Sequence, residues 1–238
     1  MLSYWFIDLI LLLPCLAFSF HKKIAFTSKW KFLFPSIIVV YLFMLVWDHF
    51  FIEWGVWHFN SEYITGVFFY SIPIEEHLFF VSILFASVFV YECTYIFIKR
   101  DYLAHYSIGI SITLSILFGW MFYLYYTKLY TGITCACAAF LLIQHKFVFR
   151  SHWRYMGRFY MSYLLMLVPV LITYWVLTSL PIVMYNEKER MGLQIKSIPV
   201  ENLMYFLFQF LFAITVYEFF KKKFTKKISV SAEDIATN

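Results

Sequence analysis

Two neighbouring carboxyl groups stand at the head of a long apolar segment. Residues 71–80 read SIPIEEHLFF, so Glu75 and Glu76 follow Pro73 directly before a run of hydrophobic residues. A carboxyl group removed from water can keep its proton, and two that lie close together can divide the tasks of acid and base. The pair therefore predicts proton-transfer chemistry in a site that excludes water.

The same pattern returns 126 residues later in the chain. Residues 197–206 read SIPVENLMYF, with Glu201 at the position of Glu75 and Asn202 at that of Glu76. A Tyr-Glu pair also follows each copy at equal spacing, at 91–92 and at 217–218. This spacing predicts an internal repeat, and a pseudo-twofold axis would bring Glu75 and Glu201 into one shared cavity.

Local helix chemistry offers an alternative explanation for each copy. Proline suits the first turn of a helix, where its missing N–H has no intrahelical partner, and an acid there is favoured by the helix dipole. Glu92 and Glu218 can likewise be charge partners of the basic residues that follow them. Asp48 is either a proton-handling carboxylate near the level of Glu75 or a helix-end partner of His49. The duplication of the decapeptide favours function over helix initiation alone.

The elements that would position these acids are membrane helices. The chain is 63% hydrophobic and 14% charged, with a mean hydropathy of +0.74. A soluble domain carries about 25% charged residues, and a membrane span needs roughly 20 apolar ones. The fold class is therefore all-α and polytopic. Seven spans are predicted, at about 3–20, 31–52, 75–98, 105–126, 129–145, 159–184 and 201–220.

Charge sets the predicted orientation. Most of the 19 basic residues fall in the loops 21–31, 99–104 and 146–158 and in the tail from Lys221. By the positive-inside rule the N-terminus is outside and the C-terminus cytoplasmic, in a multi-pass protein of a bacterial-type cell membrane. The predicted units are a first three-helix repeat at 1–104, a linker helix at 105–128, a second repeat at 129–227 and a polar tail at 228–238. The result is a parallel 3+1+3 arrangement.

Several other kinds of site and partner are not expected. The net charge of +5 is accounted for by lipid headgroups, so no nucleic-acid partner is predicted. The chain lacks GxGxxG, P-loop and GxSxG motifs, and the consecutive acids and His77 diverge by about 100° on a helix, so we predict neither a cofactor nor a metal site. A small proton-coupled transporter with a 3+1+3 repeat remains an alternative, as does a structural subunit.

The motifs resemble those of the membrane-integral lycopene cyclases in their fused, two-repeat form. Residues 73–80, PIEEHLFF, are similar to the PxEE signature of that family. The similarity extends to Trp47-Asp48, to the aromatic loop around Trp54 and Trp57, and to residues 181–185 and 199–202 in the second half. Asn202 departs from the family pattern, which usually has a second acid at this position.

The resemblance implies a lycopene beta-cyclase, an isomerase or intramolecular lyase that closes acyclic ψ end groups into β-ionone rings without net redox change. An acid would protonate the terminal double bond of lycopene within the bilayer, and a base would remove a proton after ring closure. The resemblance leaves open whether the chain forms a homo-oligomer or associates with other carotenoid enzymes. The implied catalytic residues are Glu75, Glu76, Glu201 and Asp48. The implied substrate-binding residues are Trp47, Trp54, Trp57, Pro73, His77, Phe79, Pro199, Asn202 and Tyr205.

Overall fold

A computed structural model describes the backbone of residues 3–147 and 155–236 and the side chains of residues 4–147 and 155–225. Residues 148–154 of the predicted basic loop lie outside the described residues. Seven α-helices form within the described ranges: α1 Ser3–Ser19, α2 Trp30–Glu53, α3 Ile74–Phe97, α4 Ser107–Tyr125, α5 Leu129–Phe147, α6 Gly157–Ser179 and α7 Val200–Ala236.

The helix bounds follow the predicted spans closely except at two places. Helix α6 ends at Ser179 rather than at 184, because Pro181 cannot continue a helix and the chain turns into a strand. Helix α7 runs on to Ala236, through most of the stretch that we predicted as a polar tail at 228–238.

Five of the described helical segments are long and apolar enough to cross a membrane: Phe26–Glu53, Ile74–Phe97, Ser107–Tyr125, Gly157–Ser179 and Val200–Thr225. The apolar stretch of α1, Tyr4–Ser19, is shorter. Helix α5 includes polar residues at both ends, among them Thr131, Gln144 and Lys146. An all-α membrane-type architecture therefore fits the chain.

Six short strands, which were not predicted, lie in the connections between the helices. They are β1 Trp57–Phe59, β2 Phe68–Phe69, β3 Ile72–Pro73, β4 Val183–Tyr185, β5 Gln194–Ile195 and β6 Ile198–Pro199. Strands β2 and β3 form one antiparallel hairpin, and β5 and β6 form its equivalent 126 residues later. All six lie at one end of the helix bundle, which we call the strand end.

Strands β1 and β4 join the two halves of the chain. Trp57 pairs with Tyr185, His58 with Met184, and Phe59 with Val183. Because positions 57–59 are equivalent to 183–185, exchanging the halves converts this ladder into itself. The ribbon has an approximate twofold axis that passes through the His58–Met184 pair.

The helices pack with the same twofold relation. Helix α1 packs on α3 as α5 packs on α7, whereas α2 packs on α7 of the other half as α6 packs on α3. The unrepeated helix α4 packs on α5. The central helices α3 and α7 consequently bury most of their surface, and each half of the chain depends on the other for its core.

At the opposite end of the bundle, the two Tyr-Glu pairs bind across the halves. The hydroxyl of Tyr91 donates to Glu218 at 2.9 Å, and that of Tyr217 donates to Glu92 at 2.8 Å. Lys221 forms ion pairs with both acids, 2.7 Å from Glu92 and 3.4 Å from Glu218. These residues fasten α3 to α7. Glu218 pairs with a basic residue that follows it, as predicted, whereas Glu92 pairs with Lys221 of the other half rather than with the basic residues after α3.

Candidate active site

Glu75 and Glu201 each hold the loop that precedes their own helix. An Oε1 atom of Glu75 accepts the backbone N–H of Thr65 at 2.6 Å, and Oε1 of Glu201 accepts that of Met191 at 2.7 Å. The residue after each donor is a glycine with a left-handed backbone, Gly66 at φ 79° and Gly192 at φ 91°. Glycine adopts this conformation without steric cost, which lets both loops turn back towards the helix.

Thr131 adds a second donor to Glu201, through a hydroxyl group 2.7 Å from Oε1. Both glutamates are fully buried. Pro73 and Pro199 stand one residue before α3 and α7, in the hairpins that lead into these helices. The two glutamates thus form matching loop anchors at the strand end, each two residues after the proline of its repeat.

Glu76 and Asn202, one residue further on, point in a different direction because each helical residue turns by about 100°. Glu76 accepts a hydrogen bond from the hydroxyl of Tyr4. Asn202 makes the equivalent contact with Tyr130, whose hydroxyl donates to Oδ1 at 2.8 Å, and its amide group also donates to the hydroxyl of Tyr185 at 2.9 Å.

Asp48 is a third buried acid near the strand end. Its Oδ1 atom accepts the hydroxyl of Tyr205 at 2.7 Å. This contact links α2 of the first half to α7 of the second, since these two helices pack together. The equivalent of Asp48 in the second half is Tyr174, which carries no charge.

A small cavity of about 30 Å³ lies beneath the β1–β4 ribbon. Glu76 and Asp48 both line it, and their carboxyl groups are close enough to interact electrostatically. The remaining lining is aromatic, aliphatic or phenolic. The full set is Asp48, Trp57, Phe59, Glu76, Phe79, Phe80, Tyr130, Tyr174, Leu177, Val183, Tyr185 and Tyr205.

The packing of the helices assigns the two acids to different walls. Glu76 lies on α3, which packs with α6, and this wall also contributes Phe79 and Tyr174. Asp48 lies on α2, which packs with α7, and that wall contributes Tyr205. A group inside the cavity would therefore be next to two carboxyl groups that come from different helices.

Some predicted site residues line this cavity and others do not. Trp57, Phe79 and Tyr205 line it, together with Glu76 and Asp48. Asn202 does not, but it contacts the lining residues Tyr130 and Tyr185. Trp47 packs behind the lining, with its ring 6.0 Å from that of Tyr205 and 5.3 Å from that of Phe208.

Glu75 and Glu201, expected in one shared cavity, are not among its lining residues. The reason is geometric, since neighbouring helical positions cannot face the same way and both glutamates face their loops. Trp54 lies outside as well, because it is 51% exposed at the end of α2 and stacks on Phe50. His77 is buried but binds Tyr41 at 2.8 Å and the backbone carbonyl of Phe69 at 3.1 Å.

Sequence reasoning missed four tyrosines of the site: Tyr4, Tyr130, Tyr174 and Tyr185. The repeat held a signal for two of them, because Tyr4 and Tyr130 are 126 residues apart and bind the equivalent residues Glu76 and Asn202. Tyr174 and Tyr185 have no tyrosine at the equivalent positions, so the repeat gives no sign of them.

Asp8 completes the acidic cluster without reaching the cavity. It lies one helical turn after Tyr4 on α1, is fully buried, and has no hydrogen-bond partner for either oxygen among the described residues. Its carboxyl group interacts electrostatically with those of Glu76 and Glu75. Within the described residues, no three His, Cys, Asp or Glu side chains are arranged to hold a metal ion.

Comparison with known proteins agrees with this internal repeat. The family model described as lycopene cyclase matches the chain twice, over residues 2–94 and again over residues 127–220. Comparisons with curated proteins and with solved structures found no match. The two matched segments cover most of the chain, contain every acid of the cavity and leave out α4, the helix without an equivalent. The chain belongs to the lycopene cyclase family.

Proposed function

We propose that the chain is a lycopene beta-cyclase that converts acyclic ψ end groups into β-ionone rings by acid–base catalysis. One observation carries this proposal: Glu76 on α3 and Asp48 on α2 both line the same small and largely aromatic cavity. Family membership supports cyclase activity in general, and the cavity supports its acid–base form. The family match lends no support to the transporter alternative.

The surroundings of the two acids suggest separate roles. Glu76 lies in the first turn of α3, where the helix dipole stabilises a negative charge, and it also accepts the Tyr4 hydroxyl. Asp48 has the Tyr205 hydroxyl but no helix N-terminus. We therefore assign Asp48 as the proton donor and Glu76 as the base, and give neither role to Glu75 or Glu201.

The reaction then follows in three steps. Asp48 donates its proton to the terminal double bond of the ψ end group, which leaves a tertiary cation. The neighbouring double bond attacks this cation and closes the six-membered ring, moving the positive charge within it. Glu76 removes a ring proton, and the electrons of that C–H bond form the β-ionone double bond. No oxidant or cofactor enters this balance.

The aromatic lining suits the cationic intermediate. The faces of Trp57, Phe79 and Phe80 present negative π density, which attracts a cation most strongly where water is excluded. An enclosed site also protects the cation from capture by water. The cavity is smaller than a ring-forming end group, so we expect the lining side chains to move apart when the substrate enters.

The proposed topology is a parallel 3+1+3 repeat in a bacterial-type cell membrane, with seven spans, the N-terminus outside and the C-terminus cytoplasmic. The twofold packing of α1–α3 against α5–α7 supports this arrangement. The first residues of α1 and of α3 both lie at the strand end, and α7 starts there too, so the first and last helices run in the same direction. The substrate, lycopene, would enter sideways from the bilayer.

Expression in a bacterium that accumulates lycopene tests the proposal. We expect the cells to turn from red to orange-yellow, with ring-containing products identified by chromatography, absorption and mass. The matched control is Glu76→Gln, which keeps the shape of the side chain but cannot act as the base. Unchanged lycopene in cells whose membranes contain the wild-type protein would refute the cyclase assignment.

A further inference from the structure

The proposed reaction leaves its two acids in exchanged protonation states. After each ring closes, Asp48 has lost a proton and Glu76 has gained one, so a proton must cross the cavity before the next turnover. This inference rests on the proposed function. It concerns the path by which the proton returns from Glu76 to Asp48.

The hydroxyl of Tyr185 lies in the right surroundings for that path. Tyr185 lines the cavity from the β1–β4 ribbon, above both walls. Its side chain lines the same small cavity as Glu76 and Asp48, and its hydroxyl is near enough to both carboxyl groups to interact with them electrostatically. Its ring is stacked parallel to that of Tyr130, with centroids 5.6 Å apart, and this contact fixes its position.

Asn202 sets the direction in which Tyr185 can donate. The amide group of Asn202 donates to the Tyr185 oxygen at 2.9 Å, while Oδ1 is occupied by the Tyr130 hydroxyl at 2.8 Å. Because an amide N–H can only donate, the O–H of Tyr185 must be directed elsewhere. An acid at position 202 would accept that O–H and remove it from the path.

We propose that Tyr185 relays a proton from Glu76 back to Asp48 after each ring closure, with Asn202 as its positioning residue. The Tyr185 oxygen accepts the proton of the Glu76 carboxyl group while its own proton passes to the Asp48 carboxylate. One O–H bond breaks and one forms on Tyr185, which ends the step as a neutral phenol. The Glu76 carboxyl becomes a carboxylate and the Asp48 carboxylate becomes a carboxylic acid.

The state of the phenol agrees with this concerted exchange. Removal from water is the largest effect on the pKa of Tyr185 and raises it; the hydrogen bond from Asn202 lowers it by less, and the nearby acids Glu76 and Asp48 add smaller increases. The hydroxyl therefore stays protonated at neutral pH. It can pass a proton on only when it receives another, which is what a relay between two carboxyl groups requires.

The inference predicts a kinetic signature that a structural role would not produce. Tyr185→Phe keeps the ring and its packing but removes the hydroxyl group, so the first ring can form and the reset cannot. In vesicles loaded with lycopene and quenched at short times, we expect a burst of about one ring per protein molecule, followed by turnover roughly 10-fold or more below wild type.

Two further variants complete the experiment. Tyr160→Phe removes a buried hydroxyl outside the cavity, bound to Ser111 at 2.6 Å, and we expect the wild-type time course without a new burst. Asn202→Asp should show the burst and slow turnover of Tyr185→Phe, since it captures the Tyr185 proton. Thermal melting of each variant in detergent confirms that the fold is kept.

Three results would overturn the relay. The first is a wild-type steady rate in Tyr185→Phe. The second is a Tyr185→Phe variant that forms the first ring as slowly as the later ones. The third is a burst in Tyr160→Phe as large as that in Tyr185→Phe. A wild-type protein that forms no rings would instead refute the proposed function, so the two failures are distinct.

Discussion

Glu75 and Glu76 are neighbours in the chain but meet different chemical surroundings. Glu75 accepts a backbone N–H from its own loop, whereas Glu76 accepts a phenol and faces a cavity. In the second half, Glu201 also accepts a backbone N–H from its loop, but Asn202 stands at the position of Glu76 and cannot exchange a proton. The loop anchor is therefore present twice and the proposed base once.

This division predicts opposite sensitivities at the two positions. Glu76→Gln should lower ring formation by about 100-fold or more, because it removes the base. Glu75→Gln should stay within about 10-fold of wild type, because its amide oxygen can still accept the Thr65 N–H. Product analysis of vesicles with equal amounts of each variant makes the comparison. An inactive Glu75→Gln beside an active Glu76→Gln would reverse the assignment.

Asp8 gives a prediction about stability. An unpartnered polar group in a dry interior costs about 1–3 kcal/mol, and neither oxygen of Asp8 has a partner among the described residues. Asp8→Leu should therefore raise the free energy of unfolding by about that amount, measured by thermal or denaturant unfolding in detergent.

Thr134→Val is the matched control for Asp8. Thr134 is the equivalent position in α5, and its hydroxyl is also buried without a partner within the described part of the chain. We expect a smaller gain, because a hydroxyl costs less to bury than a carboxyl group. A loss of stability in Asp8→Leu would show that the acid contributes to the packing of α1 on α3.

At the scale of elements, the start of α6 depends on close contact with the connection after α3. Arg158 donates to the carbonyl groups of Thr94 and Ile98 at 2.6 and 2.7 Å, and so provides hydrogen bonds to carbonyl groups at the C-terminal end of α3. Gly157, the residue before it, leaves room for this approach. A Cβ there would lie 2.6 Å from the backbone nitrogen of Ala104 and would collide with the Asp101 side chain.

Gly157→Ala should accordingly destabilise the protein by about 1–3 kcal/mol through overpacking. The control is Gly109→Ala in α4, where no atom lies within 4 Å of the added carbon and a better helix former should be neutral or stabilising by up to about 1 kcal/mol. The stabilities of the two variants are compared by measuring their melting temperatures in the same detergent. Equal shifts would contradict the close approach described above.

Long elements could be predicted from the sequence, and short ones could not. The apolar runs gave the seven helices to within two residues at most ends, because about 20 apolar residues leave few alternatives. The end of α6 was missed although Pro181 marked it, since the following Ile182 and Val183 extend the apolar run. Strands of two or three residues, such as β2 and β5, depend on pairing partners rather than on their own residues.

At the scale of the whole molecule, the cavity exists only where both halves meet. Lining residues come from α2 and α3 of one half and from α5, α6 and α7 of the other. The β1–β4 ribbon and the Tyr91–Glu218 and Tyr217–Glu92 hydrogen bonds hold the halves together at opposite ends. The connection between α4 and α5 is not needed for any of these contacts.

A chain divided between α4 and α5 should therefore assemble into an active protein. Co-expression of residues 1–127 and 128–238 should restore ring formation in lycopene-containing cells to within about 10-fold of the intact chain, whereas either fragment alone should form none. Joint purification through a tag on one fragment verifies the assembly. Activity of a single fragment would contradict a cavity shared by both halves.

The repeat made part of the site predictable and misled us about the rest. It identified the axis, and with it the importance of positions 75–76 and 201–202. It could not show that α2 and α6 pack on the central helix of the other half, which is what places Asp48 beside Tyr205. Nor could equal spacing reveal that the duplicated glutamates are anchors, because a repeat preserves structural and chemical residues alike.

The differences between the halves at positions 48 and 174 and at 76 and 202 have a consequence for a molecule with two identical ends. If each half supplied both an acid and a base, the cavity would be symmetric, and an end group could react in either of two orientations related by the twofold axis. With the proposed acid and base, this chain has a single polarity, so a lycopene molecule that is cyclised at both ends must leave after its first ring, reverse in the bilayer and present its other terminus. The amount of the product with one ring should therefore rise early in a time course and decline later.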